Sequence, residues 1–195
     1  MEILRFLKLP NLVRGIISGL LSLIILFVPL SAYTTVEETS DYMLTGDEAF
    51  SYSGEKWTVG FAKEVLTPDD ITEETYYIAG YNTNNPAKSV LDDMYAKAVF
   101  LDDNSGRVGV VVCAIDCVGI SRKDINDIRK IVIESGKIPG IKSINICATH
   151  THSAIDTQGL WGKNFFTDGK NDEFMNRLKE LTAKAIIDAY NARKD

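Results

Sequence analysis

The sequence predicts an α/β fold, a mixed sheet with a βαβ unit, preceded by an apolar leader helix. Three observations carry this expectation. Residues 108–116 and 141–148 are short apolar runs of strand length, rich in β-branched side chains. Between them Ile125, Ile128, Ile131 and Val132 recur at helical spacing. Strand, helix and strand in that order make two parallel strands joined by a crossover. The chain has 195 residues, 45% hydrophobic and 25% charged, enough to bury one core but hardly two. Five prolines and fourteen glycines exclude a collagen-like or Pro/Gly-rich disordered chain. A mean hydropathy of −0.03 excludes a protein that crosses the membrane many times.

Residues 1–32 form the leader. Arg5, Lys8 and Arg14 precede a stretch from Gly15 to Ala32 that carries no charge and is apolar on every face. Its length lies between a signal-peptide core and a short transmembrane helix, and Pro29 followed by Ser31 and Ala32 favours a cleavage region. Signal peptide and uncleaved membrane anchor both remain open. Either places Tyr33 onward outside the cytoplasm, secreted or anchored, because the basic flank stays inside. Residues 33–56 are polar and acidic with no sustained periodicity and read as a linker; the domain spans 57–195. The net charge is −6, and the basic leader leaves the remainder more acidic still. Phosphate binding needs a basic surface, so nucleic acid is not an expected partner.

Within the domain, residues 95–101 and 108–116 flank Asp102-Asp-Asn-Ser-Gly-Arg107, a run of turn formers, and predict a β-hairpin. Ser121 opens a helix as N-cap, with Asp124 placed to reach back in a capping box that has Asp in place of Glu. Gly136 supplies a left-handed stop and Pro139 prevents resumption. Residues 141–148 form the second strand of the βαβ unit. From 172 to 192, Phe174, Leu178, Leu181, Ala185 and Ile186 share one face of a final helix. The odd number of cysteines, Cys113, Cys117 and Cys147, fits no zinc-knuckle spacing, and each lies in an apolar run, so core thiols are expected. A strand-to-strand disulfide between Cys113 and Cys147 stays open in an oxidising compartment.

In a βαβ unit ligands gather at the carboxyl ends of the strands. Asp116 stands at one such end and Thr149-His150-Thr151-His152-Ser153 at the other. The chain has two histidines, and both fall here. Imidazole is the commonest metal-ligand type near neutral pH, and an H-x-H pair leaving a strand can put one ring on a metal and the other beside it. Asp116 is expected close to the His150 loop. There it could hold an imidazole or a substrate hydroxyl, or merely cap backbone N–H groups at the strand end. Two H-x-H families are excluded by residues present: a metallo-β-lactamase motif would need Asp and His where Ala154 and Ile155 stand, and amidohydrolase barrels need further histidines.

A broader series occurs in order: residues 59–68, Ala79-Gly80-Tyr81, residues 93–98, residues 112–119 and Ala148-Thr149-His150-Thr151-His152-Ser153. This series resembles the N-terminal catalytic domain of neutral/alkaline non-lysosomal ceramidases. The resemblance runs from about Trp57 to Trp161. It implies that the chain is the N-terminal half of a larger α/β catalytic domain. It also implies a Zn2+-dependent amide hydrolase, incomplete as given, acting on an N-acyl sphingolipid or related amide. It assigns His150 as a zinc ligand and His152 as a catalytic residue beside it, with Asp116 in support and Gly80, Tyr81 and Ser153 lining the substrate site. This sequence departs from the family at Ala154-Ile155, where Gly-Pro is usual, and at Lys97, where Arg is usual. The family's other zinc ligands, a second His, a Glu and a Tyr, come from further along much longer chains. Asp116 and Asp156 alone are placed to help here, and neither is a ligand position of the family. The alternative is a catalytically silent exported or membrane-tethered domain that binds a lipid or a protein partner.

Overall fold

The computed structural model describes residues 56–106 and 109–194, together with Val13, Ile16, Ile17 and Leu20, which are helical. The rest of the leader and residues 33–55 of the linker lie outside the described residues. The chain divides into two compact units, Met1–Ser40 and Asp41–Asp195. Among the described residues no helix is long and apolar enough to cross a membrane.

The second unit holds a four-stranded mixed sheet in the order β1-β2-β3-β4. Its strands are β1 (Thr58–Val65), β2 (Tyr95–Asp102), β3 (Val110–Ile115) and β4 (Ser143–Ala148). Helices α1 (Arg122–Glu134) and α2 (Asp172–Asn191) complete it. The expected hairpin is present, β2 and β3 pairing antiparallel with Leu101 opposite Val110. So is the βαβ unit, in which β3 and β4 run parallel with Val110 beside Ser143 and Ile115 beside Ala148. The β-branched runs that predicted these strands bury alternate residues, Val111, Cys113 and Ile115 among them, as a half-covered sheet requires.

Helix α1 begins as its sequence dictates. Ser121 Oγ accepts from the Asp124 amide at 3.1 Å, and Asp124 Oδ2 accepts from the Ser121 hydroxyl at 2.5 Å. It stops at Gly136, whose φ of 64° is the left-handed conformation in which its N–H turns back to the Ile133 carbonyl. Ile128 and Val132 face the core, together with Leu178 and Ile186 of α2 and Phe100 of β2. Burying each such side chain contributes about 1.5–3 kcal/mol.

Strand β1 has no counterpart in the sequence reading, which saw residues 59–68 only as a motif. The cause is an inverted polarity. The covered face of β1 carries Gly60 and the half-buried Ala62, whereas Val59, Phe61 and Val65 point outward and are exposed. Helix α2 lies so close that a Cβ on Gly60 would collide with the Ala189 carbonyl. Small residues therefore mark the inside here, and apolar alternation points to the wrong face.

The cysteines need a correction. All three are free thiols. Cys113 lies beside Ile146 and Cys147 beside Ala114, so their side chains leave the sheet on opposite faces and the proposed disulfide is excluded. Cys113 and Cys117 are buried as expected, but Cys147 is exposed.

Candidate active site

Both β1 and β3 run antiparallel to β2, so β1, β3 and β4 all end where β2 begins. Three connections meet at that end of the sheet: residues 66–94, 116–121 and 149–171. Every residue singled out as a candidate lies on one of them.

His150 is placed by the strand it leaves. The Thr149 amide donates to the Ile115 carbonyl at 2.9 Å, extending the β3–β4 pairing by one step. The chain then turns sharply, with His150 in the left-handed region at φ 61°. A non-glycine residue held there stores strain that the surrounding structure must over-determine, a condition met most often at functional sites. The ring is held equally firmly. Nδ1 lies 2.7 Å from the Val118 carbonyl, which can only accept, so Nδ1 carries a proton and in the neutral ring Nε2 is the nitrogen with the lone pair.

Nε2 of His152 lies 3.4 Å from Nε2 of His150, the two rings crossing at 74°. Tyr81 meets the His152 ring edge-on at 5.1 Å. Gly80 lies against the ring itself, at φ 117°, where a Cβ would come within 2.5 Å of Cγ and Nδ1. Only glycine satisfies both the backbone and the contact. The close fit leaves His152 Nδ1 sealed from solvent and, among the described residues, without a hydrogen-bond partner.

The segment bearing Gly80 and Tyr81 is zipped to the histidine loop. Ile78 bridges Ile155, the Ala79 amide donates to the Ala154 carbonyl at 2.9 Å, and the Asp156 amide donates to the Tyr77 carbonyl at 2.8 Å. Ala154 and Ile155, where the sequence departs from the Gly-Pro pattern, are therefore fully buried pairing residues. The segment is anchored at Tyr76, whose hydroxyl donates to Asp70 at 2.9 Å; burial and that carboxylate push it up to about 12.

Asp116 and His152 line one cleft of about 680 Å3, together with Ser153. The Asp116 carboxylate accepts from the Tyr95 amide at 3.0 Å and lies 3.4 Å from Lys97 Nζ, while its own amide donates to the Tyr95 carbonyl at 2.9 Å. It extends the β2–β3 ladder while facing the cleft. Asp156 is wholly buried and accepts from the amides of Gln158, Gly159 and Trp161 at 2.8–2.9 Å. Its carboxylate organises the loop and is turned away from ligand duty. The cleft lining is mixed: Ile71, Ile78, Met94 and Ile155 stand beside the polar and charged Thr67, Lys88, Asp92 and Asp93, whereas His150, Gly80 and Tyr81 are not among the lining residues. Among the described residues no group of three or more His, Cys, Asp or Glu side chains is gathered to hold a metal ion.

Sequence reasoning missed Val118 and Thr157. The Thr157 hydroxyl, fully buried, donates to the Gly119 carbonyl at 2.5 Å and so fixes the loop that presents the Val118 carbonyl to His150. A threonine amid polar loop residues gives no sign of this, because its partner is a backbone atom on another connection.

No family model matches the chain, and no curated protein matches it in sequence. Its architecture does match solved structures. The structure of neutral ceramidase from Pseudomonas aeruginosa aligns with a TM-score of 0.58 over 71% of this chain, at 17% identity. The fold is shared with neutral ceramidase. A ceramidase complexed with C2 aligns over the same 71% with a TM-score of 0.56 and 14% identity. The chain spans 22% of the length of each of these ceramidases. The α/β arrangement expected from the sequence is thus the one seen, with the H-x-H loop at the carboxyl end of a ceramidase-like sheet.

Proposed function

We propose that this domain is the histidine-bearing part of an exported amide hydrolase of the neutral-ceramidase type, with an N-acyl sphingolipid or related lipid amide as substrate. The observation that carries the reading is the state of His150. Its Nδ1–H is committed to the Val118 carbonyl, which leaves the Nε2 lone pair of the neutral ring available to a metal ion. That is the chemistry of a zinc ligand, and His152 Nε2 stands 3.4 Å away. Zinc catalysis takes three protein ligands and a water, so the residues present fit part of a site, with further ligands supplied from outside this chain or by a second one. When bound, zinc polarises an amide carbonyl and brings its water to a pKa of about 7.

The chain's own groups supply the rest. His152, packed against Gly80 and Tyr81, would take a proton from the attacking water at Nε2 and give it to the leaving amine. Asp116 and the Ser153 hydroxyl, which line the cleft, orient polar groups of the substrate. The apolar side chains of Ile71, Ile78, Met94 and Ile155 accept an acyl chain. Export rests on the uncharged stretch behind the basic leader residues. Protease treatment of intact spheroplasts carrying a C-terminally tagged chain is expected to remove the tag; a protected, cytosolic tag contradicts export.

The test of function is zinc titration with a hydrolysis assay. The 195-residue chain alone is expected to bind zinc weakly and to show little turnover. A form carrying the remaining ligands, in cis or as a second chain, is expected to bind one zinc and to release fatty acid from an N-acyl sphingoid substrate. If His150→Ala leaves zinc binding and activity intact in that form, the assignment is wrong and a silent binding domain takes its place.

A further inference from the structure

A neutral imidazole can carry its proton on either nitrogen, and around His150 and His152 the surroundings settle the choice for both rings. His150 gives its Nδ1–H to the Val118 carbonyl, so the nitrogen it turns to His152 is a bare acceptor. His152 Nδ1 is sealed against Gly80 and finds no partner among the described residues. A proton placed there would be a buried N–H left unsatisfied, a group that folded proteins seldom tolerate. Placed on Nε2, the same proton meets the His150 lone pair at 3.4 Å, whereas a bare Nε2 would set two lone pairs against each other at that distance. One constraint acts on each side of the His152 ring, and both put the proton on Nε2.

We infer that His152 donates its Nε2–H to Nε2 of His150, and that this hydrogen bond guards the lone pair of His150 against metal ions. The bond completes a row that runs from His152 through the His150 ring to the Val118 carbonyl, and each member polarises the next. The ring that donates is fixed locally, packed on Gly80 and met edge-on by Tyr81 at 5.1 Å. Both rings stay neutral; only the position of a proton is assigned. The consequence for catalysis rests on the amide-hydrolase reading above. A metal ion at His150 Nε2 has to displace the His152 proton, and His152 has a lone pair for the attacking water only after that proton has moved to its own Nδ1 by exchange with solvent. Because Nδ1 is sealed, the ring must first swing off Gly80. Loading the metal and arming the base are then one event. The same asymmetry separates the two roles, since a ligating imidazole ordinarily gives its other N–H to a partner, as His150 does and His152 does not.

The chain has two histidines, so 15N-histidine labelling of the full-length protein shows the ring nitrogens of this pair and no others. In protein stripped of metal with a chelator, at about pH 8.5 where an ordinary imidazole is neutral, correlating ring nitrogens with ring carbon protons reads which nitrogen is protonated. The contact with Tyr81 assigns the His152 ring. His150 is expected to be protonated at Nδ1 and His152 at Nε2, each as one dominant tautomer. His152 protonated at Nδ1, or an even mixture in either ring, overturns the inference, and this measurement needs no substitution. His152→Phe keeps a flat ring against Gly80 and removes the donor. In that variant the Nε2 resonance of His150 is expected to shift to that of a nitrogen with no hydrogen bond, and zinc chloride, titrated alone, is expected to bind several-fold more tightly than to the unaltered chain. An unmoved resonance or an unchanged zinc affinity refutes the guard; a weaker affinity refutes it as well and makes His152 a ligand. If neither chain takes zinc, the zinc reading of His150 fails, whereas the ring spectra decide the hydrogen bond without any metal.

Discussion

His150 is held by two constraints at once, a left-handed backbone and a hydrogen bond from Nδ1 to the Val118 carbonyl. The second depends on Thr157, whose hydroxyl pins the adjacent Gly119 carbonyl. Thr157→Val keeps the shape and removes the donor, leaving a carbonyl unsatisfied at a cost of about 1–3 kcal/mol. It is expected to lower stability in urea and to move His150 toward a mixture of tautomers, read from its ring 15N shifts; an unchanged tautomer would show that the loop stands without Thr157. The histidine pair was legible in the sequence, because two scarce residues at a strand's carboxyl end are conspicuous. The groups that set their protonation were not, since Val118 acts through its backbone and Thr157 binds a carbonyl 38 residues away. Asp116 was more legible: its position facing the cleft followed from strand order, and its carboxylate caps a backbone N–H, that of Tyr95, as one of the two readings of a strand-end acid had it.

At the scale of elements, hairpin, crossover helix and final helix were readable because each obeys a period and carries its own stop signals. Strand β1 was not, since the close approach of α2 admits only small residues on its covered side. Gly60→Ala is therefore expected to destabilise the domain by about 3 kcal/mol, as overpacking does, measured as a lowered urea midpoint; a neutral outcome would mean that α2 can shift outward. The opposed faces of β3 and β4 also separate the thiols. Burial, reinforced by the nearby Cys147, pushes Cys113 up to about 12, and burial pushes Cys117 up to about 11, from an ordinary 9.0. In the native protein iodoacetamide is expected to label Cys147 quickly and the other two only after unfolding. Because the folded chain keeps protons that the unfolded chain releases, their contribution to stability is complete below pH 9 and falls as pH rises toward 11–12. Urea titrations over that range check the sign, and Cys113→Ala should flatten the fall.

Across the whole molecule, one end of the sheet gathers the cleft and the histidines. The other closes on itself, as Val59 and Lys194 exchange two backbone hydrogen bonds of 3.0 Å along the outer edge of β1. The two residues stand at nearly opposite ends of the domain's sequence, whereas β2, β3, α1 and β4 follow one another directly. Joining distant segments requires a large loop to close before any contact rewards it, so contacts of this kind form late. The βαβ core can assemble from neighbours in the chain, and the β1 edge is its final seam. During refolding, pulsed hydrogen exchange is expected to protect the amides of β3 and β4 before those of Val59 and Lys194. Simultaneous protection would place that seam in the folding nucleus. The same lateness gives the nascent domain a vulnerable interval: until Lys194 arrives, β1 offers an open strand edge to any other chain, and pairing there would compete with folding.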